Sequence, residues 1–84
     1  MMDRNEVRTK FVELVKQFSR KESNVPIEDD TWLERDLNTD SSRMIDIVLE
    51  TEDVFHITID DASLSRMKSV GQAVDLIMEQ LASQ

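Results

Sequence analysis

The chain has 84 residues, no cysteine, one glycine, one proline and a formal net charge of −8. The missing cysteines exclude disulfides and thiolate metal sites, scarce glycine and proline disfavour an all-β fold with its many tight turns, and the acidity argues against nucleic acid as a partner. No apolar run approaches the ~20 residues of a membrane helix, and the charged start, Met1 to Lys10, has no signal-peptide apolar core, so we expect a soluble, cytoplasmic monomer with no membrane span, built as one domain over residues 1–84.

The first helix is set by periodicity. Val7, Phe11, Leu14, Val15 and Phe18 recur on one face of a 3.6-residue repeat, which predicts a helix from Arg4 to Phe18. Asp3 and Glu6 have the spacing of a capping box. Residues 19–40 then lack sustained periodicity and include Asn24 and Pro26. A connection this long is uncommon in a compact domain unless it is functional or disordered. Val25, Ile27, Trp32, Leu33 and Leu37 are apolar anchors that would fasten it to the core, so an ordered loop is expected.

Asp40 is a good N-cap for a second helix beginning at Ser41. Ile45, Val48 and Leu49 mark one stripe, with Glu52 at its edge. Met44, Ile47, Thr51, Val54 and Phe55 widen the apolar surface, and the helix should end near Phe55. An extended piece, His56 to Ile59, leads to a short third helix over Ala62 to Met67, started by Asp60, Asp61 and Ser63. Ser69 and Gln72 form a second capping box. The last helix follows, with Val70, Ala73, Val74, Ile77 and Leu81 on its buried stripe. The fold class is therefore all-α: a four-helix bundle with a long first loop and a short third helix.

Charge is unevenly spread. Residues 1–27 hold six bases and four acids, residues 28–61 hold two bases and twelve acids, and residues 62–84 hold two of each. The negative field of the middle third favours steering by basic protein surfaces. Asp36, Asn38 and Asp40 imitate the early ligand positions of a calcium loop, but Ser41 and Ile47 stand where that loop needs Gly and Glu; no metal site is expected. His56 is the only histidine, with no Ser-His-Asp set around it. No nucleophile–base pair or cofactor loop points to an enzyme, so a non-catalytic protein is expected.

The informative stretch is Asp36-Leu37-Asn38-Thr39-Asp40-Ser41-Ser42-Arg43-Met44-Ile45-Asp46-Ile47-Val48. It sets a serine in the first turn of an acidic helix, after a long loop. A phosphodiester there would lie beside free helix N–H groups. In Asp36, Leu37, Asp40 and Ser41 the chain resembles the acyl carrier protein family, whose motif reads Asp-Leu-Gly-Ala-Asp-Ser-Leu. The likeness continues through Ile45-Asp46-Ile47-Val48, Glu52, Asp53, Phe55, Ile57-Thr58-Ile59-Asp60-Asp61 and Ser69 to Ile77.

The resemblance implies an acyl-carrier-type bundle. A phosphopantetheinyl transferase would move 4′-phosphopantetheine from coenzyme A to Ser41, with Asp40 as the flanking motif residue. The arm would hold acyl intermediates as thioesters for a fatty-acid, lipid or polyketide-type pathway. Acyl-loading and acyl-processing enzymes with basic docking surfaces would meet the second helix at Ser42, Arg43, Met44, Asp46, Glu50, Glu52 and Asp53. Three positions depart from the family: Ser42 replaces a Leu, and Arg43 and Val54 replace acids. Asp60 stands where the family tends to have Pro.

The interior of such a bundle is a natural apolar slot for the acyl chain. Ile45, Val48, Leu49, Thr51, Phe55, Ile57, Ile59, Met67, Val74 and Ile77 are the lining candidates. An aminoacyl or peptidyl carrier would also use Ser41, and a small acidic adaptor without a prosthetic group is the alternative from another class.

Overall fold

The computed structural model describes residues 2–18, 26–37 and 39–83. They form four helices: α1 (Arg4–Phe18), α2 (Ser41–Phe55), α3 (Asp61–Leu64) and α4 (Val70–Ala82). Of the described residues 64% are helical and none form strands, an all-α bundle of the expected kind. Helix α1 packs on both α4 and α2. It buries Val7, Phe11, Leu14 and Val15 as its periodicity dictates. The Asp3 carboxylate accepts the N–H of Glu6 at 2.8 Å, satisfying one orphan donor of the first turn.

Helix α2 buries a different stripe from the one expected. Met44, Ile47, Thr51 and Phe55 face the core, whereas Ile45 and Leu49 are 56% and 59% exposed. Both sets are apolar at helical spacing, so periodicity alone could not choose between them. Thr51 removes the obstacle to the observed choice. Its hydroxyl donates to the Ile47 carbonyl at 2.6 Å, so it can be buried without an unpaired polar atom. That places Phe55, the bulkiest side chain of the helix, in the core. Val54 also lies on the outer side.

The link after α2 turns sharply at His56, which adopts the left-handed conformation at φ 55 and ψ 48 and donates its N–H to the Glu52 carbonyl. Histidine enters this region more readily than most non-glycine residues. Ile57 and Ile59 then point into the core. The Glu52 carboxylate reaches over the turn and accepts the N–H of Ile59 at 2.7 Å. Asp60 caps α3 through the N–H of Ser63. Helix α3 starts one residue earlier than expected and ends at Leu64 rather than Met67. Arg66 N–H to Ser63 and Met67 N–H to Leu64 bonds tighten the exit to three-residue turns, which swing Met67 inward to 2% exposure.

Of the long connection, Asn24 and Val25 lie outside the described residues. The part from Pro26 to Leu37 is ordered by main-chain bonds. Val70 N–H donates to Thr31 at 2.9 Å, Leu33 N–H to Lys68 at 2.9 Å and Gly71 N–H to Asp29 at 2.8 Å. Leu33 and Leu37 are the buried anchors, and Ile27 packs against the core from its edge. Trp32 is not a buried anchor: it is 40% exposed, with the Arg35 guanidinium 4.5 Å from its ring centroid. Its backbone does the fastening, by bridging to Ser69. Asp29 also pairs with Arg8 at 2.9 Å and Arg4 at 3.4 Å, and Arg4 reaches Asp75 of α4. Both halves of the Ser69–Gln72 capping box are present.

Candidate functional site

The site begins with a threonine that sequence reasoning did not single out. Thr39 is buried, and its hydroxyl donates to the Leu33 carbonyl at 2.5 Å. This pins the end of the loop to the core and leaves the next residue, Asp40, at the surface in an extended conformation. The Asp40 carboxylate accepts the Arg43 N–H at 2.9 Å, so the cap of α2 forms as its sequence requires. Ser41, the first residue of the helix, is exposed, as is Ser42, while Arg43 is half-buried.

The geometry suits attachment of an anionic group. Ser41 is exposed to solvent. First-turn N–H groups have no acceptor within the helix, and the helix dipole gives that end a partial positive charge. The Asp40 carboxylate adds a negative charge beside it, so an anion placed there would depend on directed N–H groups rather than on net charge. Among the described residues no group of three or more His, Asp or Glu side chains is placed to hold a metal.

One helical turn below Ser41, on the same side of α2, Met44 enters a cleft of about 380 Å³. Its apolar surface comes from Trp32, Met44, Leu64 and Met67, and its polar rim from Glu34, Ser65 and Lys68. Of the ten expected lining residues, Met67 alone is on this wall. Thr51, Phe55, Ile57, Ile59, Val74 and Ile77 are packed in the core, and Val48 is half-buried against it. Ile45 and Leu49 face outward because α2 is rotated to bury the Met44 stripe. The sequence signals that could have found the cleft are two large apolar residues: Trp32 in a loop, and Leu64 at the end of the short third helix.

The expected docking residues divide in the same way. Ser42, Asp46 and Asp53 are exposed, and Glu50 is half-buried. Met44 does not stand at an outer partner edge: it is 7% exposed, with its sulfur 3.5 Å from the Thr39 hydroxyl. Glu52 is half-buried, and its carboxylate is engaged on Ile59. The exposed apolar side chains Ile45 and Leu49 complete the outer face of α2 in their place.

The fold and site define a small helical bundle that presents a serine at the head of its second helix, beside an apolar cleft. No protein-family model matches the chain. Over 79 residues it is 28% identical to the mitochondrial acyl carrier protein of Saccharomyces cerevisiae, an alignment covering 90% of this chain and 63% of that protein. The chain thus spans under two thirds of the length of that relative. An acyl carrier protein structure from Enterococcus faecalis superposes with a TM-score of 0.78 at 33% identity, covering 94% of this chain and 99% of the other. One from Thermotoga maritima superposes with a TM-score of 0.78 at 27% identity, covering 98% and 94%. The chain belongs to the acyl carrier protein family.

Proposed function

We propose that this protein carries acyl groups as thioesters on a 4′-phosphopantetheine arm attached to Ser41. The observation that carries the reading is the exposed Ser41 hydroxyl, set directly after the Asp40 cap at the head of α2, in a chain of this family. In the attachment step the Ser41 oxygen forms a new bond to phosphorus. The pyrophosphate bond of coenzyme A breaks, adenosine 3′,5′-bisphosphate leaves, and the hydroxyl proton passes to a base of the transferase. The arm then supplies a terminal thiol that holds the acyl group.

The residues of this chain bind and orient. Thr39 and Asp40 fix the start of α2, and first-turn N–H groups ahead of Arg43, whose own N–H is taken by Asp40, would be available to the phosphodiester. Asp46 and Asp53 offer carboxylates to basic enzyme surfaces, and Ile45 and Leu49 offer apolar contact. The cleft beside Met44 receives the start of the acyl chain. The chain itself supplies no catalytic group.

Intact-mass measurement after incubation with coenzyme A and a broad-specificity phosphopantetheinyl transferase tests the reading. One phosphopantetheine should add to the native chain and to Ser42→Ala, and none to Ser41→Ala. Loss of addition in Ser42→Ala alone would move the site by one residue, and no addition to any form would leave the adaptor alternative.

A further inference from the structure

Two methionines belong at once to the cleft and to the core. Met44 and Met67 line the cleft, yet they are only 7% and 2% exposed. The other lining residues, including Trp32, Leu64 and Lys68, are half-buried or exposed. The methionines are therefore its floor. They share one core cluster with Leu33, Ile47, Val70 and Leu76, which are at most 1% exposed. A close-packed interior offers no continuation of the cleft unless a floor side chain moves.

We propose that Met44 and Met67 form a gate that sets the length of the apolar cargo held by this protein. The inference rests on the carrier reading for the nature of the cargo. The cleft measures about 380 Å³. That is room for roughly a dozen groups of water size at ~30 Å³ each, and fewer along a single path because one side is open. A longer chain must either turn back to solvent or displace the floor. Methionine is the residue suited to yield, being unbranched with three rotatable bonds and a polarizable sulfur.

The two sides of the gate differ. Met44 is on a fifteen-residue helix, with its sulfur 3.5 Å from the Thr39 hydroxyl, which is itself bonded to Leu33. Met67 is on the short turn segment between α3 and α4. Met44 is the fixed side and Met67 the side that swings.

The absence of any cysteine allows a test that needs no transferase. Ser41→Cys gives a single thiol, to which saturated alkyl methanethiosulfonates of increasing length attach as mixed disulfides. In the otherwise native chain, Tm should rise with each added methylene as apolar surface leaves water, then level off. Met67→Ala removes three heavy atoms, so the levelling point should move about three carbons longer; Met67→Val, which is more certain to fold, should move it in the same direction by less. Met44→Ala should also lengthen it. Val15→Ala, a core truncation in α1, should lower Tm throughout without moving the levelling point. A levelling point common to all four variants would overturn the gate, as would a Tm independent of chain length in the otherwise native protein. Neither result would touch the carrier reading, which the mass measurement at Ser41 decides separately.

Discussion

The N–H of Gly71 donates to the carbonyl of Asp29 at 2.8 Å, and a Cβ at position 71 would stand 3.0 Å from that same oxygen and 3.1 Å from the Asp29 Cβ. The chain's one glycine thus lets the first turn of α4 touch the loop. In an open helix, alanine would be worth up to about 1 kcal/mol more than glycine. Here the added methyl presses on a loop tied down by the N–H groups of Val70 and Gly71 and by the bond from Arg8 to the Asp29 carboxylate. We expect Gly71→Ala to lower stability by about 1 kcal/mol, with the closeness of fit outweighing helix propensity. A urea melt showing the variant more stable would mean that the loop gives way.

Acid should act through two carboxyls. The hydrogen bond from Arg8, with further help from the charges of Arg4 and Arg8, holds the Asp29 carboxyl below its ordinary value of 3.8, against a smaller opposing effect of burial. The backbone N–H of Ser63, and then its side chain, does the same for Asp60. A carboxyl depressed on folding contributes stability that is complete above its unfolded value and is lost as pH falls through the folded one. The loss should therefore fall below about pH 4. Asparagine caps a helix without titrating, so Asp60→Asn should nearly match the native chain at pH 7 and lose less stability between pH 4 and pH 2. Parallel pH profiles for the two proteins would remove Asp60 from the acid transition.

Glu52 separates docking from stability. Its carboxylate bonds the Ile59 N–H at 2.7 Å from a half-buried position. Hydrogen bonds to charged groups are worth roughly 1.5–3 kcal/mol, and partial exposure lowers that. We expect Glu52→Ala to cost about 1–2 kcal/mol in chemical denaturation, and Glu52→Gln less, because an acceptor remains. Full native stability in Glu52→Ala, measured without any partner enzyme, would return this residue to a purely docking role.

The twelve acids between Glu28 and Asp61 should make the fold sensitive to salt. Repulsion among exposed like charges is screened beyond about 8–10 Å at physiological ionic strength. Salt also weakens the exposed pairs of Arg4, Arg8 and Arg66, but such pairs are worth little individually. Tm should therefore rise with sodium chloride. A flat or falling dependence would show that the ion pairs outweigh the acidic field.

How much of this was legible in the sequence depends on how many signals agreed. Helix α1 has one apolar face and a polar remainder, and its boundaries follow directly. The Ser69–Gln72 box and the Asp40 cap are local, with donor and acceptor three residues apart, and they form as read. Helix α2 is apolar around much of its circumference, so which stripe it buries depends on α1 and on how Thr51 satisfies its hydroxyl. That is a tertiary choice, and Ile45 and Leu49 were misplaced because of it. Glu52 to Ile59 and Thr39 to Leu33 are bonds across turns that no periodicity announces. At the head of α2 the motif and the cap coincide, so the sequence alone points to that serine as the candidate site. The cleft has no such local signal, because its apolar residues come from three separate stretches of chain: Trp32, Met44, and Leu64 with Met67.

On the carrier reading proposed above, the outer face of α2 bears on which enzymes the protein would serve. Ser42 is polar and exposed where the family resemblance leads one to expect Leu, and Arg43 brings a positive charge where it leads one to expect an acid. Basic partner surfaces would meet Arg43 as a like charge, which weakens the wrong complex and so sharpens choice. Ile45 and Leu49 remain as apolar contacts at 56% and 59% exposure. Truncating them removes little buried surface, so Leu49→Ala should leave the unfolding free energy within about 0.5 kcal/mol of the native value while weakening partner binding. Changing Ser42→Leu together with Arg43→Asp should raise modification and acylation by general fatty-acid synthesis enzymes, chiefly through association rate, with the gain shrinking as salt is added. The Arg43 backbone N–H that Asp40 caps is retained by either side chain, so the double change should leave the helix start intact. If those enzymes already handle the native chain as well as an ordinary fatty-acid carrier, and the double change has no effect, the specialised docking face is refuted and the attachment site at Ser41 is untouched.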